Sequence, residues 1–233
     1  LGAHVLLATK LRLGDANTVM AEGGMQAAIA SEDTPIRHYL DTLRGGHMEN
    51  DPALLKTLVE EGPAATKWLM DMGVLFDREE DGRLSLRSGG GSSRPRLLRC
   101  KDYTGLEMMR VLKDEVLNKK IDLLEFSPVI ELLTDSSGAC AGAVLQNLDN
   151  KKFIIVAAKS VILATGGIGR LHIQGFPTSN HYGATADGLP IAYRVGAKLK
   201  LQDTFQYHPT GAVFPEPIAG MLVTEALRSA GAH

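Results

Sequence analysis

The chain has 233 residues and a formal net charge of −2, so it offers no electrostatic attraction for nucleic acid. A hydrophobic content of 44% permits the core of one large domain or of one and a half small ones. Its two cysteines, Cys100 and Cys140, exclude a disulfide framework and a cysteine-only four-ligand metal site, which makes a reduced, cytoplasmic setting the expectation.

Ala3 to Thr9 is a short apolar run that reads as a buried parallel strand, followed by a polar loop from Lys10 to Asn17. Met20 to Ala30 carries the Gly23-Gly24 pair and reads as a helix of small residues. Asp33 to Leu43 and Pro52 to Met72 show helical spacing, the second interrupted at Gly62-Pro63. Arg78 to Leu97 is polar and carries the loop Ser88 to Ser93. Thr104 to Asn118 is predicted helical, with Leu106, Met109, Val111, Leu112 and Val116 on its apolar side.

Ile121 to Thr134 and Gly142 to Ala157 contain strands, with a turn at Ser136-Ser137-Gly138 between them. Val161 to Thr165 reads as a further buried strand ending in Gly166-Gly167. Gly188 to Gly196 is a helix started by Asp187 and stopped by glycine. The longest apolar stretch, Phe153 to Ile168, is broken by Lys159-Ser160 and then by glycines, so no transmembrane helix is expected, and no secretory signal is seen. Strands alternating with helices argue for an α/β fold. The start at Leu1 and the stop within an apparently regular motif at His233 read as truncations of a longer protein.

Several motifs in this order carry a resemblance. They are Ala21-Glu22-Gly23-Gly24, then Asp33 with His38, Asp41, Thr42 and Gly45, then Thr104-Gly105. Ala164-Thr165-Gly166-Gly167, Asp187-Gly188, His208-Pro209-Thr210-Gly211 and Thr224-Glu225-x-x-Arg228 follow. Together they make the chain resemble the flavoprotein subunit of the fumarate reductase and succinate dehydrogenase family, which includes L-aspartate oxidase. The family opens with a strand and a Gly-x-Gly-x-x-Gly turn that this sequence lacks. The resemblance therefore implies a Rossmann-like FAD-binding domain over residues 1–207, without its first strand and glycine turn, and the start of a capping or substrate domain over 208–233.

On the flavin side, the resemblance assigns FAD contacts to Thr9, Lys10, Asn17, Thr18, Ala21, Glu22, Gly23 and Gly24. It adds a main-chain contact at Val129, the turn Ala164-Thr165-Gly166-Gly167, and Asp187. Val129 reads equally well as a core residue and Asp187 as a helix N-cap. Asn17 stands where respiratory members of the family carry a histidine bonded to the flavin. An amide makes no such bond, so the resemblance implies non-covalent FAD and leans toward fumarate reduction or an oxidase.

On the substrate side, the resemblance gives His208 and Thr224 the role of binding a small dicarboxylate. Glu225 and Arg228 share a helical face and read either as a surface ion pair or, by resemblance, as a proton relay to an arginine acid expected beyond His233. His38 and Asp41 are assigned structure, and Cys100 no role. No metal site is expected, since the histidines and cysteines show no ligand spacing, and no nucleoside-triphosphate loop is present. The activities implied are interconversion of fumarate and succinate or oxidation of L-aspartate. The partner implied is an iron–sulfur or other electron-transfer protein, with possible attachment to the inner membrane through it. A non-catalytic flavin-domain fragment is the alternative of another class.

Overall fold

The computed structural model describes residues 2–171, 178–208, 210–224 and 227. In chain order its elements are β1 (Leu6–Ala8), β2 (Met25–Gln26), α1 (Pro35–Gly45), α2 (Pro52–Asp71), β3 (Leu97–Leu98) and α3 (Thr104–Asn118). There follow β4 (Asp122–Leu124), β5 (Val129–Thr134), β6 (Cys140–Gln146), β7 (Phe153–Ala157) and α4 (Gly188–Arg194). The mixed α/β class is as expected. Contacts divide the chain into one unit of Leu1–Asn17 with Val116–Leu222 and another of Thr18–Glu115 with Val223–His233.

In the first unit, β1 pairs in parallel with β4, and β5, β6 and β7 form an antiparallel sheet in that order. The Asp135 carboxylate holds the β5–β6 turn by accepting from the Ser137 and Ala139 N–H groups, while Gly138 supplies the left-handed φ of 84°. Gly142 lies in β6 where a Cβ would meet the Val156 carbonyl oxygen. Leu145 and Ala143 are buried, whereas Phe153 and Ile155 of β7 are exposed.

Two expectations fail in this unit. Val161 to Thr165 is not a strand, because no described residue supplies it with a hydrogen-bonded ladder, and Ile162 is exposed. Only Leu6 to Ala8 of the first apolar run forms a strand, and its residues are exposed or half-buried rather than buried. Apolar composition states a preference for burial; a paired neighbour is what makes the strand.

In the second unit, α1 starts at the N-cap Thr34, whose hydroxyl accepts from the Arg37 N–H, with Pro35 at the first helical position. Asp51 caps α2 by accepting from the Ala53 and Leu54 N–H groups at 3.0 and 3.1 Å. Contrary to expectation, α2 runs unbroken through Pro63. The missing hydrogen bond is outweighed by the face carrying Leu55, Val59, Thr66 and Leu69, all buried. Ala27, Leu69, Val74, Phe76, Leu98 and Val111 form the core of the unit.

The expected helix over Met20 to Ala30 is absent. Met25 and Gln26 pair instead with Leu98 and Leu97, and the Ala27 N–H donates to the Arg96 carbonyl at 3.1 Å. The small residues serve close strand packing: a Cβ on Gly24 would meet the Leu98 carbonyl oxygen. Among the described residues no helix is long and apolar enough to cross a membrane.

Candidate functional site

In the first unit, two turns far apart in sequence are clasped together. The Ala186 N–H donates to the Gly167 carbonyl at 3.0 Å and the Arg170 N–H to the Ala184 carbonyl at 2.9 Å. Gly188 lies against Thr165, whose hydroxyl a Cβ there would meet. Ala186 adopts a left-handed φ of 60° while buried, a conformation costing on the order of 1–2 kcal/mol in a non-glycine residue and one that collects at ligand sites.

Lys10 reaches this clasp from the other end of the unit. Its ammonium donates to Asp187 Oδ2 at 2.7 Å and to the Thr185 hydroxyl, which donates in turn to Asp187 Oδ1 at 2.8 Å. Asp187 stands at the N-cap position of α4 but caps nothing, since its carboxylate is engaged by Lys10 and Thr185. Asp187 thus takes the N-cap position expected of it but not the capping hydrogen bond. Four expected flavin contacts, Lys10, Thr165, Gly167 and Asp187, are thus brought together. Thr185, in the same turn as Asp187, joins them without a contact assigned to it from the sequence.

Thr9 has its main chain engaged by Leu124 and Ser127 at 2.8 Å each, and its hydroxyl donates to the Leu11 carbonyl. Val129 opens β5, half-buried and opposite Leu145. Asn17 donates its amide N–H to Asn180 Oδ1 at 2.9 Å and accepts the His181 N–H at 2.6 Å. Both ends of this amide therefore hold the 180–181 loop, a link across 163 residues that the sequence did not disclose.

His208 Nδ1 lies 3.3 Å from the Thr210 N–H and 2.9 Å from its hydroxyl. A backbone N–H is only a donor, so Nδ1 is the acceptor in the bond to the Thr210 N–H. Pro209, Glu225 and Arg228 lie outside the described residues.

In the second unit, Thr18 and Ala21 sit on the start of α3. The Gly105 N–H donates to the Ala21 carbonyl at 3.0 Å, and a Cβ on Gly105 would meet the Thr18 carbonyl oxygen. Glu22 is half-buried and Gly23 exposed, with open space where a Cβ on Gly23 would stand. Thr224 donates its hydroxyl proton to Asp102 at 3.0 Å. A hydroxyl has one proton, so Thr224 donates to any other group only by turning that proton away from Asp102.

The largest departure from expectation in this unit is Arg96, fully buried. Its Nε and Nη2 grip both oxygens of Asp33 at 2.7 and 2.9 Å, and Nη1 donates to Asp41 Oδ2 at 2.6 Å. Asp41 Oδ2 also accepts the Ser93 N–H and hydroxyl at 2.8 and 2.7 Å. Burial pushes Asp41 up, but the Ser93 bonds and Arg96 outweigh it and bring its pKa from 3.8 to about 2. Asp33 is lowered in the same direction by its bonds to Arg96. Burial holds His38 below the usual imidazole range, and its Nδ1 has no hydrogen-bond partner among the described residues. Burial, reinforced by Glu107 and Asp77, raises the Cys100 thiol to about 11.

These shifts set an acid limit. A carboxylate with a depressed folded pKa stabilises the fold fully above its unfolded value and loses that contribution as pH falls through the folded value. Urea midpoints should therefore fall from about pH 4 to about pH 2, and fall less steeply in Asp41→Asn. Equal slopes in the two proteins would remove Asp41 as a cause.

The residues fit FAD chemically. An ammonium, a hydroxyl and a carboxylate fixed together suit phosphate and polyol groups, and at Gly166 and Gly167 a Cβ would meet open space, leaving the turn approachable. The family model described as FAD binding domain matches residues 1–233. Over 217 residues the chain is 41% identical to one of the subunits of the fumarate reductase (CoM/CoB) of Methanothermobacter marburgensis, covering 92% of this chain and 39% of that protein. It is 36% identical over 238 residues to the L-aspartate oxidase of Streptomyces coelicolor, covering 100% of this chain and 40% of that one. A variant of the E. coli quinol fumarate reductase FrdA superposes with a TM-score of 0.91 at 29% identity, covering 99% of this chain and 38% of that one. The chain spans about two fifths of the length of the curated relatives it matches. It belongs to the FAD-binding-domain family, and its homologues are fumarate reductase flavoprotein subunits and L-aspartate oxidases.

Proposed function

We propose that the whole protein is an FAD-dependent oxidoreductase that reduces an unsaturated dicarboxylate, fumarate to succinate, with FAD held non-covalently. The observation that carries the cofactor half is the Lys10–Thr185–Asp187 cluster beside the Thr165-Gly166-Gly167 turn. When bound, FAD supplies the two-electron redox chemistry. Lys10 meets its phosphates, Asp187 and Thr185 meet its hydroxyl groups, and the Thr18, Ala21, Glu22, Gly23 and Gly24 segment and Val129 contribute further contacts. His208 donates from Nε2 to one substrate carboxylate, and Thr224 donates once its proton leaves Asp102. Glu225 and Arg228 pass a proton toward the substrate. Residues 208–233 begin the substrate-binding part, and electrons arrive through a partner protein.

Two measurements on the full-length protein test this. Acid precipitation should release all flavin into the supernatant, since Asn17 offers no nucleophile; flavin retained in the pellet would overturn the non-covalent assignment. Reduced viologen should be oxidised on adding fumarate. L-Aspartate oxidation by oxygen is the second reading, supported by the 36% identity to the Streptomyces coelicolor enzyme along the whole chain. A protein that turns over neither substrate rejects both assignments.

A further inference from the structure

Arg96 joins three pieces of the second unit through its two ends. Its main-chain carbonyl accepts the Ala27 N–H at 3.1 Å, just past the β2–β3 pairing of Met25 with Leu98 and Gln26 with Leu97. Its guanidinium grips Asp33, immediately before the cap of α1, and Asp41 within α1. The Ser88 to Ser93 loop joins the same assembly, through Ser93 on Asp41 and through the Ser92 hydroxyl, which donates to Gln26 Oε1 at 2.8 Å. Gly24 lies directly on β3, where a Cβ would meet the Leu98 carbonyl oxygen.

One arginine bound to two carboxylates leaves a net negative charge in the interior. The α1 N-terminus and the donors of Ser93 and Thr34 offset it, the Thr34 N–H donating to Asp33 at 2.9 Å. Such a cluster is a weak source of net stability, because desolvation cancels much of its attraction, but it specifies one register. The register it specifies is that of β3, and through β3 that of the Glu22-Gly23-Gly24 segment.

We propose that Arg96, with Asp33 and Asp41, is a positioning residue that sets the Glu22-Gly23-Gly24 segment for the flavin, an inference that rests on the FAD reading above. The guanidinium fork is essential to this role. A lysine carries the charge but cannot reach three carboxylate oxygens in one plane.

The test is FAD titration into full-length apoprotein, followed by flavin fluorescence and the visible absorption band. Arg96→Lys should raise the FAD Kd by about tenfold or more and shift the band, because Lys does not replace Arg at a bidentate site. Val59→Ala in the packed face of α2 serves as a destabilised control. It should lower the melting temperature yet leave the Kd within about twofold, as expected for a core deletion that leaves the bonds of Arg96, Asp33 and Asp41 in place. Should Arg96→Lys fail to fold, Ser93→Ala takes its place, removing one bond to Asp41 and raising the Kd by about threefold. An unchanged Kd and band in the folded variant overturn the proposal, as does an equal weakening in Val59→Ala. Wild-type protein that binds no FAD overturns the underlying reading instead, before any variant is compared.

Discussion

Arg96→Ala is expected to lose about 3–5 kcal/mol of unfolding free energy, the usual result of removing one partner from a buried ion pair. Asp33 and Asp41 would remain in the interior, with Asp33 losing both guanidinium bonds. A total stability of about 5–15 kcal/mol leaves roughly 0–12 kcal/mol after such a loss, so the variant unfolds well below the wild-type urea midpoint. Urea unfolding followed by circular dichroism reads the effect. Removing the stranded charges as well, with Arg96→Met, Asp33→Asn and Asp41→Asn combined, should recover part of it. A loss below about 1 kcal/mol in the single variant would mean that water reaches the carboxylates, contrary to their burial.

Gly105→Ala should also destabilise, against the helix propensity of the two residues. In an exposed helix interior this change gains about 1 kcal/mol. At Gly105 the new methyl would meet the Thr18 carbonyl oxygen and come within 2.8 Å of the Ala21 Cβ, so the segment over Thr18 to Ala21 must move. Overpacking of this kind costs about 1–3 kcal/mol. FAD affinity should fall with it, since the proposed contacts Thr18 and Ala21 lie on the displaced segment. Gly45→Ala, at the end of α1 with open space around its Cβ, is the matched control and should be neutral or stabilising by up to about 1 kcal/mol. Thermal unfolding of the pair decides the matter: a melting temperature for Gly105→Ala at or above that of Gly45→Ala would contradict the packing described.

The helices were legible because their signals are local. The spacing over Asp33 to Leu43 and Pro52 to Met72 predicts α1 and α2 to within two residues at each end, and that over Thr104 to Asn118 predicts α3 over its full length. Features that depend on distant partners were not. Met25-Gln26 is a strand only because Leu97-Leu98 lies beside it, and Val161 to Thr165 lacks a strand ladder despite its composition. The site shows the same division. Lys10 and Asp187 were each assigned to the flavin by the family resemblance, but their ion pair, which spans 177 residues, was not legible. Arg96 was silent, because an arginine between Pro95 and Leu97 reads as a surface charge, and its partners stand 63 and 55 positions upstream.

Asn17 carries a consequence for how this lineage could change its cofactor chemistry. Its amide donates to Asn180 and accepts from His181 at the same time. An imidazole introduced at position 17 would need both ring nitrogens to replace those two bonds, leaving neither as a nucleophile. A histidine there that lent one ring nitrogen to another bond would leave one of the two loop bonds unmade, so position 17 is coupled to the Asn180 side chain and to the His181 main chain.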